Sequence, residues 1–134
     1  MQEGMVMKEE YDNVIAVDFD GVISDYAGFK GKGVFADPVL GCKIFLDQLR
    51  YSGWTIIVNT TRIEVHQIAE YLAMHEIPYD HINHNPENIK QHLHPAKVLA
   101  DVYLDDRAIR FTGRWSPELL AKINNHKPWW KEDK

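Results

Sequence analysis

The feature that most constrains this chain is an apolar run over residues 14–17 that ends in two carboxylates, Asp18 and Asp20, followed by Gly21. A short β-branched run of this kind predicts a strand buried in a parallel sheet. Because side chains alternate along a strand, both carboxylates leave it on the same side, with Cα atoms about 6–7 Å apart. Open α/β sheets bind ligands at the carboxyl ends of their strands. The segment therefore predicts a site that holds a divalent cation and attacks an electrophile with a carboxylate.

The size and charge of the chain narrow the classes of protein it can belong to. Its 134 residues, 45% hydrophobic and 26% charged, predict one soluble domain over residues 1–134, with a core over about 12–125 between a polar N-terminal and an aromatic C-terminal tail. A net charge of -5 gives no specific signal for nucleic acid or an anionic membrane. Cys42 is the only cysteine, which fits a reducing compartment. Residues 1–10 carry acids and lack the apolar stretch typical of a signal peptide, and no apolar run has the length of a membrane span. We therefore expect no signal peptide and a cytoplasmic protein, with homo-oligomer formation left open.

Strand and helix patterns alternate along the chain. Strands are predicted at residues 14–17, 54–58, 79–82 and 98–104, and residues 21–37 predict a glycine-rich loop or small hairpin. The first helix is expected to begin at Asp37-Pro38 and end at Gly53, and the second to run from Val65 toward Pro78. A helical turn near residues 87–92 and a last helix from 116 or 117 to 124 complete the pattern. The alternation predicts a single doubly wound α/β domain with a parallel, Rossmann-like sheet.

Three of the predicted strands end in residues suited to catalysis. These are Asp18 and Asp20, then Thr60 to Arg62, then Asp105 and Asp106. Two carboxylates about 4–7 Å apart repel by roughly 2–4 kcal/mol at an effective dielectric near 20, so four at one sheet edge require a cation or protonation. Oxygen ligands without a thiolate favour Mg²⁺, which readily accepts a substrate phosphate oxygen.

The same residues resemble the four ordered motifs of the haloacid dehalogenase superfamily. The resemblance rests on residues 17–22, Thr60, Lys97 and residues 103–108, and it covers about residues 14–112. It implies a phosphatase in which Asp18 is the nucleophile that forms an aspartyl-phosphate and Asp20 is the general acid and base. Residues 22–37 and 83–97, where such enzymes insert a cap domain, are short, so the resemblance implies a capless member.

The resemblance also implies roles for the remaining site residues. Thr60, Thr61, Arg62 and Lys97 are expected to bind the phosphoryl group of the substrate. The expected Mg²⁺ ligands are Asp18, Asp20 through its main-chain carbonyl, Asp105 and Asp106, without a decision on which of the last two binds the ion directly. Lys97 lies only eight residues before Asp105, so Lys90 remains a substitute for it. The physiological substrate is not predicted beyond a phosphomonoester.

Several alternatives remain open at this point. The protein could instead be a phosphate-responsive regulatory module similar to response-regulator receivers, although those place the phosphorylated Asp on a later strand. Arg62 could form an ion pair with Glu64 or cap a helix rather than bind phosphate. Four loop histidines could bind zinc or contact substrate, but solvated side chains are favoured for them: His81, His84, His92 and His94. Trp115, Trp129 and Trp130 could stack on a base or sugar, but packing of the C-terminal tail is favoured. Tyr26 and Phe29 could line the entrance to the site, and the sequence does not decide this.

Overall fold

The computed structural model describes residues 13–131 as four parallel strands that alternate with helices along the chain. The strands are β1 (Val14–Asp18), β2 (Thr55–Asn59), β3 (His81–Ile82) and β4 (Val102–Leu104). The helices are α1 (Cys42–Tyr51), α2 (Val65–Met74), α3 (Pro86–Lys90) and α4 (Pro117–Asn125). The predicted fold class, a Rossmann-like parallel α/β sheet, is confirmed.

The sheet has the strand order β3-β2-β1-β4, and all neighbours are parallel. The chain runs from β1 outward through β2 to β3 and then crosses back to place β4 on the other side of β1. The direction of winding therefore reverses between β1 and β4, and a crevice opens at the carboxyl ends of these two strands. Val17 pairs with Leu104 and Asp18 pairs with Asn59, so the ends of β1, β2 and β4 lie level with one another.

Alternation along β1 divides the core into two layers. Ile15 and Val17 face the layer that contains Leu46 of α1 and Ile68 of α2. Val14 and its same-face neighbours form a smaller cluster on the opposite face of the sheet. Burial of each large aliphatic side chain contributes roughly 1.5–3 kcal/mol, so β1, apolar on both faces, is held firmly in place. A rigid β1 fixes the position of Asp18 at its end.

Buried asparagines organise the irregular crossing from β3 to β4. The Asn88 amide donates to the carbonyls of His94 and Lys97 at 3.0 and 2.9 Å, and its oxygen accepts from the N–H of Leu99 at 2.9 Å. Asn85 caps α3 and donates to the carbonyl of Leu99 at 2.8 Å. These bonds satisfy backbone groups that no strand or helix pairs, and they set the path of the chain into β4.

The first helix begins later than the sequence predicts. Residues 37–39 instead pair with the loop that follows β1, since the N–H of Asp25 donates to the carbonyl of Asp37 and the N–H of Val39 to that of Ile23, both at 2.7 Å. Pro38 thus belongs to an isolated bridge with Ser24, and the predicted helix start there is wrong. The long-range pairing competes with the local preference of Asp-Pro for a helix N-terminus and prevails.

Two further details of the sequence reading are corrected. The last strand covers only Val102–Leu104, because the backbone groups of Leu99 bond to Asn85 and Asn88 instead of to a strand. The helix patterns also overstate burial: Phe45, Val65 and Ala73 are exposed, whereas Leu46, Ile68 and Leu72 lie in the core as predicted. Cys42 is partly buried against the core. Within residues 13–131, no helix is both long and apolar enough to cross a membrane.

Candidate active site

Three carboxylates meet where β1 and β4 end. Asp18, Asp105 and Asp106 each offer one oxygen to a group in which all these atoms lie within 4.8 Å of one another. The parallel pairing of β1 with β4 produces the juxtaposition, because Asp18 ends one strand and Asp105 follows the other directly. The N–H of Phe19 donates to Oδ1 of Asp18 at 2.9 Å, and the N–H of Arg107 donates to Oδ1 of Asp105 at 2.7 Å. Both side chains are therefore oriented by the backbone.

The clustering changes the acidity of Asp18. Burial, a hydrogen bond with Asp106 and the charges of Asp105 and Asp106 together raise the pKa of Asp18 to about 8. The hydrogen bond to the N–H of Phe19 acts in the opposite direction but is the smaller effect. Without a cation, the cluster relieves its repulsion by keeping a proton.

Asp106 is held from the C-terminal tail. The indole N–H of Trp130 donates to its Oδ2 at 2.5 Å, whereas its Oδ1 is buried and has no hydrogen-bond partner within residues 13–131. Gly21 makes this contact possible: it has a φ of +88°, and a Cβ there would lie 2.2 Å from Oδ2 of Asp106 and 2.9 Å from Nε1 of Trp130. The neighbouring Trp129 donates its indole N–H to the carbonyl of Gly21 at 2.6 Å. The tail therefore packs in cis on the loop that follows β1.

Asp20 lies outside the three-carboxylate group and is paired with a buried arginine. Nε of Arg62 lies 2.7 Å from Oδ2 of Asp20, and Nη1 of Arg62 lies 2.9 Å from Oε2 of Glu64. The rings of Phe29 and Phe35 flank the guanidinium at 5.3 and 4.8 Å. The ion pair of Arg62 with Glu64, one of the alternatives raised by the sequence, is therefore present. The Arg62 side chain is only 5% exposed, so its guanidinium is enclosed. Phosphate binding by Arg62 stays a prediction.

The loop after β2 is fixed by one asparagine. The side chain of Asn83 accepts from the N–H of Thr60 at 2.7 Å and donates to the carbonyl of Thr60 at 2.9 Å. Oγ1 of Thr60 accepts from the N–H of Arg62 at 3.1 Å. Asn83 adopts a positive φ of 56°, a conformation that asparagine tolerates better than most residues. The two Thr60–Asn83 hydrogen bonds keep the end of β2 next to the acidic cluster.

Two adjoining cavities, of about 390 and 400 Å³, open over the cluster. Both are lined by Asp18, Thr60, Thr61 and Asp105. The first is completed by Asp20, Tyr26, Asp106, Arg107 and Trp130, and the second by Asn59, Asn83, Pro95, Ala96 and Val98. The structure therefore brings together most of the predicted site residues at one concave surface.

The two candidate lysines lie outside the linings of these cavities. Nζ of Lys97 lies 5.4 Å from the centre of the Tyr103 ring, and Nζ of Lys90 lies 3.1 Å from Oε2 of Glu87. The choice between Lys97 and Lys90 as the phosphate-site lysine stays a prediction. Of the loop histidines, His81 and His84 stack edge to face with ring centres 5.5 Å apart, and His94 caps the N–H of Ala96.

Sequence reasoning missed or undervalued three contributors to the site: Asn83, Arg107 and Trp130. Asn83 carried one signal, an asparagine directly after a predicted strand, where left-handed turns are common. Arg107 follows the Asp pair and therefore shares its strand end. Nothing local to Trp130 indicates that its indole reaches Asp106, which is 24 residues away in sequence.

The chemistry of the donors fits a hard divalent cation. All three clustered side chains are carboxylates. The buried Oδ1 of Asp106, which has no hydrogen-bond partner within residues 13–131, lies beside the Asp18 carboxyl, whose pKa is raised by burial and by neighbouring charge. Mg²⁺ and Ca²⁺ prefer oxygen ligands, whereas softer metals favour imidazole or thiolate. The residues present therefore suit Mg²⁺ in composition.

Comparison with known proteins supports the fold. No family model and no curated protein matches the chain. A solved structure of a conserved protein from Bacteroides thetaiotaomicron is similar, with a TM-score of 0.59 and 23% identity over 83% of this chain and 88% of that one. A structural-genomics target from Vibrio cholerae matches 84% of this chain and 98% of its own, with 22% identity and a TM-score of 0.45. At such identities, the first similarity shows the fold alone.

Proposed function

We propose that this protein is a Mg²⁺-dependent phosphomonoester hydrolase that works through an aspartyl-phosphate on Asp18. The observation that carries the proposal is the group of three carboxylates within 4.8 Å at the junction of β1 and β4, with Asp20 two residues beyond Asp18 and lining the same cavity. The resemblance of the motifs to the haloacid dehalogenase superfamily, and the absence of any cap-sized insertion in the chain, agree with a capless phosphatase.

In the first half-reaction, a carboxylate oxygen of Asp18 attacks the phosphorus of the substrate. An Asp18 O–P bond forms while the bond from phosphorus to the ester oxygen breaks, and Asp20 gives its proton to the departing oxygen. The N–H of Phe19 holds one oxygen of the nucleophile, which restricts its rotation before attack.

In the second half-reaction, water attacks the phosphorus of the aspartyl-phosphate. Asp20 now takes a proton from that water, the O–P bond to Asp18 breaks, and inorganic phosphate leaves. Arg62 binds Oδ2 of Asp20 at 2.7 Å, so Oδ1 is the oxygen that exchanges the proton. Among the described residues, Oδ1 accepts one long hydrogen bond, from Oγ of Ser24 at 3.4 Å, and is thus available for this role.

The remaining residues bind the phosphoryl group and the ion. Asp18, Asp105 and Asp106 would hold Mg²⁺, which when bound offsets the repulsion among the carboxylates and the negative charge of the phosphoryl oxygens. Thr60 and Thr61 line both cavities and supply hydroxyl groups for those oxygens. Lys97 or Lys90 is proposed to add positive charge next to the phosphoryl group. Because neither lysine lines the cavities in this conformation, its side chain would have to move to reach that position.

The regulatory alternative predicts a different lifetime for the phosphorylated protein. A receiver-like module would keep the phosphoryl group for minutes, whereas a hydrolase releases it at each turnover. The presence of Asp20 in the cavity favours turnover, because it supplies the acid and base that dephosphorylation requires. Rapid-quench measurement of the phosphorylated fraction therefore separates the two functions.

The proposal is tested with a small aryl phosphate and Mg²⁺, scored by released phosphate. Asp18→Asn should abolish turnover, and Asp20→Asn should lower it by about 10²–10⁴-fold, the usual contribution of an acid–base group. Asp25→Asn is the matched control, since Asp25 is an exposed carboxylate on the same loop. EDTA should stop the reaction. Turnover by Asp18→Asn at the wild-type rate would exclude the covalent mechanism.

A further inference from the structure

The overall charge of the chain conceals a basic segment, residues 107–131, which we call the basic arm. It contains six Lys and Arg residues and one acidic residue, Glu118, giving +5 in a chain whose total is -5. The rest of the chain therefore carries -10. This separation of charge produces a positive electrostatic potential near the basic arm, which the net charge of the whole chain does not reveal. The arm begins directly after the acidic cluster and ends with the tail that packs on it.

The basic arm encloses a third cavity, of about 400 Å³. Its lining contains the cations Arg110, Arg114 and Lys122 together with Thr112, Ser116, Glu118 and Leu119. Within residues 13–131, none of the three cations forms an ion pair, although Glu118 lies in the same lining. Three unneutralised cations around one concavity attract an anion, and they outnumber the single carboxylate there.

Aromatic rings alternate with the arginines of the basic arm. Phe111 follows Arg110 and Trp115 follows Arg114, and the two rings lie 5.7 Å apart, tilted by 51°. Trp115 is 82% exposed and Phe111 is 52% exposed, which is unusual for large aromatic side chains in a soluble protein. Exposed rings interleaved with cations are the combination that stacks bases and tracks phosphates in single-stranded nucleic acid.

The basic arm is continuous with the candidate active site. Arg107 and Trp130 line the cavity over the acidic cluster, and the Arg107 guanidinium lies 5.5 Å from the centre of the Trp130 ring. Arg110 is three positions after Arg107, a span of at most about 10 Å between their Cα atoms. One ligand can therefore place a phosphate over Asp18 and further phosphates on the arm. A nucleoside monophosphate has only one phosphate and would leave the cavity of the basic arm unused.

We infer that the basic arm binds single-stranded nucleic acid and that the substrate is a phosphomonoester at the end of such a strand. This inference rests on the hydrolase proposed above and names its substrate class. A phosphopeptide could satisfy the arginines but gives no role to the exposed Phe111–Trp115 pair, whereas a nucleic-acid strand engages both the cations and the rings.

Binding is tested on the full chain with a fluorescent, unphosphorylated single strand of about twelve nucleotides, a length within typical site sizes. Because this probe has no phosphomonoester, its binding does not depend on catalysis. Arg110→Gln/Arg114→Gln should reduce the slope of log K against log salt by about 1.4, from two lost phosphate contacts. Trp115→Ala should weaken binding by about tenfold, the loss expected from one stacked base.

The matched control removes two positive charges elsewhere. Lys43→Gln/Arg50→Gln lies on α1, where both cations form exposed ion pairs, and it should bind the strand as the wild type does. Equal losses in the two double variants would overturn the inference, because the effect would then depend on total charge alone. Tighter binding of a phosphopeptide than of the strand would overturn it as well.

Turnover separates this inference from the proposed hydrolase. With strands phosphorylated at the 5′ or 3′ end, Arg110→Gln/Arg114→Gln should lower kcat/KM by about tenfold or more, while leaving kcat/KM for a small aryl phosphate unchanged. Hydrolysis of the aryl phosphate without any preference for a phosphorylated strand would overturn the substrate class alone. No Mg²⁺-dependent release from either substrate would overturn the hydrolase, even where strand binding persists.

Discussion

The indole N–H of Trp130 donates a 2.5 Å hydrogen bond to Oδ2 of Asp106, so the C-terminal tail orients one of the three clustered carboxylates. The other oxygen of Asp106 is buried beside Asp18 and has no hydrogen-bond partner in the described part of the chain. The ring of Trp130 is held in turn by Tyr26, edge to face at 4.8 Å. A residue near the end of the described chain thus belongs to the construction of the site.

We predict that Trp130→Phe weakens Mg²⁺ binding by about tenfold, the lower end of what loss of a supporting hydrogen bond costs a metal site. Phenylalanine keeps an aromatic ring against Tyr26 but has no N–H for Asp106. Isothermal titration of Mg²⁺ checks the result without reference to activity. Trp115→Phe is the control, because that indole is exposed and makes no hydrogen bond within the described residues. Equal affinities in the two variants would contradict the role of Trp130.

The raised pKa of Asp18 predicts that the metal-free protein loses stability as pH rises from about 4 to 8. In this range the folded chain holds a proton, because its pKa is about 8, whereas the unfolded chain has released it at its ordinary value of 3.8. The free energy of unfolding therefore decreases with pH until the folded chain is also ionised.

Mg²⁺ competes with that proton, so it should raise Tm more at about pH 8 than at about pH 5.5. Thermal unfolding in EDTA and in Mg²⁺ at both pH values measures the difference. In Asp18→Asn this contribution to the pH dependence should disappear, since the amide does not titrate. A Mg²⁺ effect on Tm that is equal at both pH values would show that Asp18 is not linked to the ion.

Gly21→Ala should lower the free energy of unfolding by more than the backbone strain of the alanine alone accounts for. A positive φ costs a non-glycine residue about 1–2 kcal/mol, and at Gly21 the added Cβ would also collide with Asp106 and Trp130. Gly113→Ala is the matched control, with a φ of +101° and open space around the added Cβ. Urea unfolding should show Gly21→Ala to be less stable than the control by about 1–3 kcal/mol, the usual cost of overpacking. Equal stabilities would mean that the loop after β1 moves to accept the methyl group.

Arg62→Lys distinguishes the two interpretations of this buried residue. Lysine keeps the positive charge, but its single ammonium group cannot bind Asp20 and Glu64 at the same time as the planar guanidinium does. If Arg62 positions Asp20, kcat for an aryl phosphate should decrease by about 10–100-fold with little change in KM, because a misplaced Asp20 loses part of its acid–base contribution to the rate. If it binds phosphate, KM should increase instead. Arg50→Lys, in an exposed pair with Asp80, is the control and should change neither constant.

The sequence was sufficient to predict the sheet and the residues at its edge. Residues 14–17 are apolar on both faces, which only a central strand satisfies, and a parallel sheet brings the strand ends together. Asp18, Asp105 and Thr60 consequently meet as expected, because their positions depend on backbone pairing rather than on side-chain conformation. The start of α1 was mispredicted, since pairing of residues 37–39 with the loop after β1 outweighs the local signal of Asp-Pro.

By itself, then, the amino-acid order determined the α/β class and which acidic residues share an edge, because hydrophobic periodicity and strand direction are local properties. Only the tertiary structure decided that Arg62 is enclosed with Asp20 and Glu64, and that Trp130 reaches back to Asp106. The Arg62–Asp20 contact joins residues 42 positions apart, and the Trp130–Asp106 contact joins residues 24 positions apart. They depend on how loops and the tail close over the sheet, and no periodic pattern in the chain encodes that closure.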